Sequence, residues 1–354
     1  MRKILLAACT MFTAAVFLVS CSKNDSGGNN NPPPPPAEAL TISFDKSQIY
    51  ADGWEEAAYT VKDQNNNDVT AACTITLDNN NYTGATYRTT TAGTYQFKAS
   101  RNGITSAAVS LKAIDPGPSP FTQKILLEDY TGTWCGHCPR VGINLATYVN
   151  NGHPNAIIVA NHGPSSDPYT FSNHVAIRNA FNVTGYPTVW IDRNSVWNEN
   201  TSQLDAAFTG RRAPLGLAFE TSINGSNINV KTKVKFDVTT SVNLKLVVYL
   251  VEDGKVYPQT NYGYFGLPDP INDYVHDGIL RSNSTDIFGD NIPATSQVKG
   301  SIYEKSFTIN TTGYDINKCR VVAFVVQGPN NQNRREKAVL NVQAVKAGEN
   351  KNFD

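Results

Sequence analysis

The chain lacks a charge excess: 30 Lys and Arg stand against 30 Asp and Glu. No basic face therefore advertises nucleic acid as a partner. After Val19 there is no second long apolar run, so no later segment reads as a membrane-spanning helix. There is one Cys-x-x-Cys and no other, and a zinc site would need two more ligands. His162 and His174, the nearest imidazoles, read as surface or loop residues rather than ligands. Asp269, Asp273 and Asp277 do not fall at the spacing of a calcium loop. No metal and no cofactor is expected.

The amino terminus is distinctive. Arg2 and Lys3 precede an apolar run from Ile4 to Val19, which has the length and flank of a secretory signal. It ends in Leu18-Val19-Ser20-Cys21, which resembles a bacterial lipobox and implies residues 1–21 as a lipoprotein signal with Cys21 as the lipidated residue. Residues 22–37 run through Ser, Asn and Gly into five prolines, a composition that buries nothing and acts as a tether. Ser22 follows the cysteine without the aspartate that resembles an inner-membrane retention signal. An outer-membrane lipid anchor is expected, on either the periplasmic or the surface face.

Residues 38–114 alternate apolar and polar positions in short runs such as "ALTISFD" and "GTYQFKAS", with "DQNNND", "DNNNYTG" and "RNG" as turns. The spacing predicts a small β-sandwich, and the pattern resembles bacterial immunoglobulin-like modules. Pro116, Pro118 and Pro120 then break the periodicity. Residues 121–213 alternate strand and helix, predicting an α/β layout, with Ser202 and Asp205 spaced as a capping box. Residues 214–354 return to strands and predict a second β-sandwich, with 255–300, rich in Tyr, Gly, Asp and Pro, as a long functional insertion. Within it Tyr274, His276 and Arg281 read first as hydrogen-bonded loop anchors, and otherwise as a partner surface or as residues facing the cysteine pair. Cys73 and Cys319 are expected to be free and buried, and Cys9 to leave with the signal.

"TWCGHCPR" sits between an apolar strand and a helix with Pro139 in its first turn. Helix amides favour a thiolate there, so Cys135 is the expected nucleophile, tuned by His137, and Cys138 the expected resolving thiol. A structural staple across so short a loop stabilises little.

Together with "NVTGYPTVWI", this motif resembles thioredoxin. The resemblance implies a central thioredoxin-like α/β domain, with a cis bond before Pro187 and that ring against Cys135. It also implies Trp134, Tyr186, Pro187 and Thr188 as substrate contacts, and a buried carboxylate at Asp129 that takes a proton from Cys138. Glu128 is then the solvent-side neighbour. From "YTGTWCGHCP" through Gln259, "DYVHDGILR", Gly289 and "LNVQAV", the chain resembles the outer-membrane-protein family named for its twenty-eight-kilodalton founding member. The expectation is an envelope lipoprotein exchanging thiols and disulfides with extracytoplasmic proteins. The other reading is a non-enzymatic binding protein that uses the middle domain as scaffold.

Overall fold

The computed structural model describes residues 38–164, 166–328 and 336–354. The expected signal, the tether and Cys21 lie outside the described residues.

Nine short strands open the described chain: β1 (Leu40–Phe44), β2 (Gln48–Tyr50), β3 (Ala57–Asp63), β4 (Thr74–Leu77), β5 (Asn80–Tyr82), β6 (Thr86–Tyr87), β7 (Gly93–Arg101), β8 (Ile104–Thr105) and β9 (Val109–Ile114). They form a three-stranded sheet, β1-β3-β6, and a six-stranded sheet, β2-β9-β7-β4-β5 with β8 on β7. Val61, Ile75, Phe97 and Leu111 fill the space between. The asparagine-rich turns form where expected because Asn66, Asp78, Asn79 and Asn102 tolerate the left-handed backbone they adopt.

The next elements are β10 (Ile125–Thr131), α1 (Cys138–Asn150), β11 (Ala156–His162), α2 (His174–Ala180), β12 (Thr188–Ile191), β13 (Ser195–Val196) and α3 (Thr201–Phe208). Helix α1 turns Val141, Leu145 and Tyr148 inward, a spacing of four and three that makes one apolar stripe. Asn200, not the expected capping box, caps α3: its side chain accepts from the Ser202 amide at 3.0 Å. Asp205 instead accepts from the Tyr148 hydroxyl at 2.7 Å. Then follow β14 (Leu215–Asn224), β15 (Asn227–Phe236), β16 (Leu244–Glu252), β17 (Lys255–Val256), β18 (Val275–His276), β19 (Ile279–Asn283), β20 (Asp290–Asn291), β21 (Ile302–Asn310), β22 (Cys319–Gln327) and β23 (Val339–Lys346).

The expected fold class, an immunoglobulin-like sandwich followed by a thioredoxin-like α/β domain and a C-terminal sandwich, is corrected. The protein is mainly β, with three α-helices among the described residues. One nine-stranded mixed sheet runs β13-β12-β10-β11-β19-β16-β22-β23, with β20 on β16. The supposed middle domain and the C-terminal segment therefore share a single sheet. The joint is β19, which lies in the stretch read as an insertion: Ile279 pairs with Ala160 of β11 in parallel, and Ile279 to Asn283 pair with β16. β10, β16 and β22 are buried along their length, the mark of strands covered on both faces.

One face of the sheet carries Leu126, Tyr130 and Trp190 together with Tyr249, Phe324 and Val342, in one apolar cluster with Ile177 of α2. On the other face α1 and α3 cover Ile125, Leu127 and Ile191. Farther along that face, β14, β15 and β21 form a three-stranded sheet over Leu246, Val248 and Ala323.

Two side chains tie distant segments together. Trp54, from the first module, is buried in the cluster between the three-stranded and nine-stranded sheets. Arg193 is fully buried; its Nε and Nη2 donate to Glu128 at 2.8 Å each, and Nη2 donates to the Tyr249 hydroxyl at 2.8 Å. Glu128 is thus not solvent-side: the pleat puts it in the core shared by β10 and β16. Asp192 and Arg193 both take left-handed backbone in the β12–β13 turn, a cost that these contacts offset.

Candidate functional site

Cys135 and Cys138 form a disulfide, with Cα atoms 5.4 Å apart. β10 ends at Thr131, the chain turns through Gly132 to His137, and α1 begins at Cys138, whose amide donates to the Cys135 carbonyl at 3.1 Å. Both cysteines are buried, 4% and 2% exposed. That matters because exchange needs access to sulfur. His137, at the helix cap, is exposed.

The loop between α2 and β12 lies beside the motif. The Tyr186–Pro187 peptide is cis. The Tyr186 ring meets the Trp134 ring edge-on at 5.5 Å, and the half-exposed indole donates to the Gly163 carbonyl at 3.0 Å. Thr188 donates to the Gly185 carbonyl at 2.8 Å and starts β12 opposite Tyr130.

Asp129 lies between Ala160 of β11 and Val189 of β12. Its carboxyl is buried, and Oδ1 has no hydrogen-bond partner. Burial raises its pKa from the ordinary 3.8 to about 7. Asp129 and Cys138 line the same cavity, of about 810 Å³, between α1 and the sheet. Tyr274 and His276 reach it from the β17–β18 side. There His276 Nε2 bonds the Tyr257 carbonyl at 3.1 Å, and burial followed by the neighbouring His162 lowers its pKa to about 4. Arg281 lies in an ion pair with Glu252 at 2.7 Å.

A strap from the same region is bonded to the backbone of the motif. The Gln259 amide nitrogen donates to the carbonyls of Gly132 at 3.1 Å and Cys135 at 3.0 Å. The backbone amides of Thr260 and Tyr262 donate to the carbonyls of Thr133 and Gly136, each at 2.9 Å. The Tyr262 ring sits against Gly136, where an added Cβ would lie 2.3 Å from Cδ1. The Tyr264 hydroxyl bonds His137 Nδ1 at 2.8 Å and accepts from Arg140 at 3.0 Å. Tyr262 and Phe265 themselves are exposed.

Underneath, Asp167 accepts from the Thr133 amide at 2.6 Å and pairs with His162 Nδ1 at 3.2 Å. Burial pushes the Asp167 carboxyl up, but the His162 bond and charge and the two backbone amides pull harder, and its pKa falls below 3.8. An ionised Asp167 accepts, so His162 Nδ1 carries the proton. Neither His162 nor His174 is a surface residue; both are buried. Among the described residues no cluster of metal-ligating side chains occurs. Cys73 and Cys319 are free; Cys319 is buried and Cys73 only half-buried.

Reasoning from sequence brought Cys135, Cys138, Asp129, Trp134 and Tyr186 to one neighbourhood, but missed Tyr262, Tyr264 and Asp167 and the role of Gln259 as an anchor. The composition of 255–300 marked the strap as functional, yet nothing local in it names Gly132 to Gly136 as its partner.

The site is therefore a closed disulfide at a helix start, beyond the end of β10 in the nine-stranded sheet. A family model for outer membrane protein Omp28 matches residues 174–351. The chain belongs to that family. The match starts after the cysteine motif, so Cys135 and Cys138 lie outside it. No curated protein matches. Among solved structures, HBP35 of Porphyromonas gingivalis is similar at 17% identity and a TM-score of 0.54, over 65% of this chain and 76% of that one. At that identity the likeness concerns the fold alone. A protein of Agrobacterium tumefaciens is similar at 12% identity and a TM-score of 0.39, over 66% of this chain and 98% of that one. Among the described residues no helix is long and apolar enough to cross a membrane, which says nothing of a β-barrel.

Proposed function

We propose that this outer membrane protein is a lipoprotein, anchored through Cys21, that exchanges thiols and disulfides with extracytoplasmic proteins through Cys135 and Cys138. In the reduced pair, the Cys135 thiolate attacks a substrate disulfide, forms a mixed disulfide and releases one substrate thiolate. Cys138 then passes its proton to Asp129 and attacks the Cys135 sulfur. The second substrate thiolate leaves, and the pair ends oxidised. His137 favours the Cys135 thiolate. Trp134, Tyr186, Pro187 and Thr188 form the surface where the substrate chain rests.

The observation that carries this reading is Asp129: a buried carboxyl without a partner, lining one cavity with Cys138, and with a pKa moved into the neutral range where it can take and return a proton. The burial of both cysteines, with Gln259 holding the Cys135 carbonyl, favours a second reading, a binding protein whose disulfide is idle.

Insulin reduction by the folded part, with dithiothreitol as donor, separates them. The exchange reading expects catalysis that Cys135→Ser abolishes; equal rates for wild type and variant leave the binding reading. Loss of labelled palmitate from Cys21→Ser in cells checks the anchor, and retained label rejects it.

A further inference from the structure

The two cysteines differ in their surroundings. Gln259 holds the Cys135 carbonyl and Tyr262 packs over Gly136. Cys138 but not Cys135 lines the cavity of about 810 Å³, which Gln259 lines too. Ala146, on α1, and Pro154 are exposed at its rim, so it opens to solvent there. The volume suits a small molecule and excludes a folded protein. Its floor is mixed: Leu145 and Ile158 are apolar, while Asp129 offers an unpartnered carboxyl oxygen from a nearly fully buried side chain. The cations at its edge are already matched. Lys124 and Lys351 pair with Asp354, and Arg320 pairs with Asp253. An anionic ligand thus finds no free positive charge among these groups.

We infer that this cavity seats a small uncharged dithiol that exchanges electrons with the pair at Cys138, while protein substrates meet Cys135 at the surface of Trp134, Tyr186, Pro187 and Thr188. This rests on the exchange reading and supplies the electron donor that reading needs. The ligand's first thiol gives its proton to the Asp129 carboxylate, and its sulfur attacks the Cys138 sulfur. The Cys135–Cys138 bond breaks and its electron pair goes to Cys135, which leaves as a thiolate beside the helix start, where a thiolate is favoured. The ligand's second thiol loses its proton to solvent and attacks the ligand sulfur held by Cys138, closing a cyclic disulfide. Cys138 leaves and takes the proton back from Asp129. The dithiol has lost two electrons and the protein pair has gained them.

Ala146→Trp tests this, because Ala146 is exposed on α1 and an indole there fills the rim without disturbing the core. With dithiothreitol as probe, reduction of the oxidised protein should slow by about tenfold or more, since exchange rates follow access to the attacked sulfur. In a Cys135→Ser background, the same substitution should slow modification of Cys138 by hydroxyethyl disulfide. Unchanged rates in both measurements overturn the cavity as the entry route. Insulin exchange in the same preparations keeps the two ideas apart. Insulin exchange with unhindered reduction sinks the cavity alone. Hindered reduction without insulin exchange supports the cavity and sinks the protein-substrate reading.

Discussion

Replacing Asp129 with Asn should make the protein more stable at alkaline pH and flatten its pH dependence. The carboxyl is raised from 3.8 to about 7 by burial alone, with no partner at Oδ1. A group whose folded pKa lies above its unfolded value binds more protons in the folded state between those two values. Stability therefore falls as pH rises through that window, and the penalty is complete above about pH 7. Each pH unit is worth about 1.4 kcal/mol, so ionised Asp129 costs the fold up to about 4 kcal/mol at pH 8. The amide cannot ionise and escapes that cost. Urea denaturation of wild type and Asp129→Asn, both oxidised, at pH 5 and pH 8 isolates the effect, because all other titrating groups cancel in the comparison. The variant should gain about 2–3 kcal/mol relative to wild type between the two pH values. A gain under about 1 kcal/mol would refute the assignment of a dry, unpartnered carboxyl and with it the basis for Asp129 as proton acceptor.

Two further outcomes concern the fold. Arg193→Leu should cost about 3–5 kcal/mol, because it strands the Glu128 carboxylate in the core. Adding Glu128→Leu should recover most of that in chemical denaturation; no recovery would mean that Arg193 acts by packing on Phe181 and Phe324 instead. Trp54→Ala should cost about 3–5 kcal/mol in the main transition, although Trp54 lies in the first module, because the indole is part of the core under the three-stranded sheet. A separate early transition for residues 38–114, with the main one unmoved, would show that the indole contributes nothing to that core.

What the sequence made legible was local. The strand and helix positions follow from periodicity, and the turns from Asn and Gly. Cys135 and Cys138 announce themselves by spacing, and Asp129 only through the resemblance to thioredoxin. The partners across sequence were hidden. Alternation tells which face of a strand is buried, never against what, so residues 279–283 read as part of an insertion although they join β11 to β16. Runs such as "LKLVVYLVED" read as one half of a sandwich, while their burial on both faces fits the middle of a covered sheet. Glu128 reads as solvent-side once Asp129 takes the buried place on the pleat, and only Arg193, 65 residues away, accounts for its burial. The Gln259 side chain and the Gly132 carbonyl meet across 127 residues, a gap that no local pattern records.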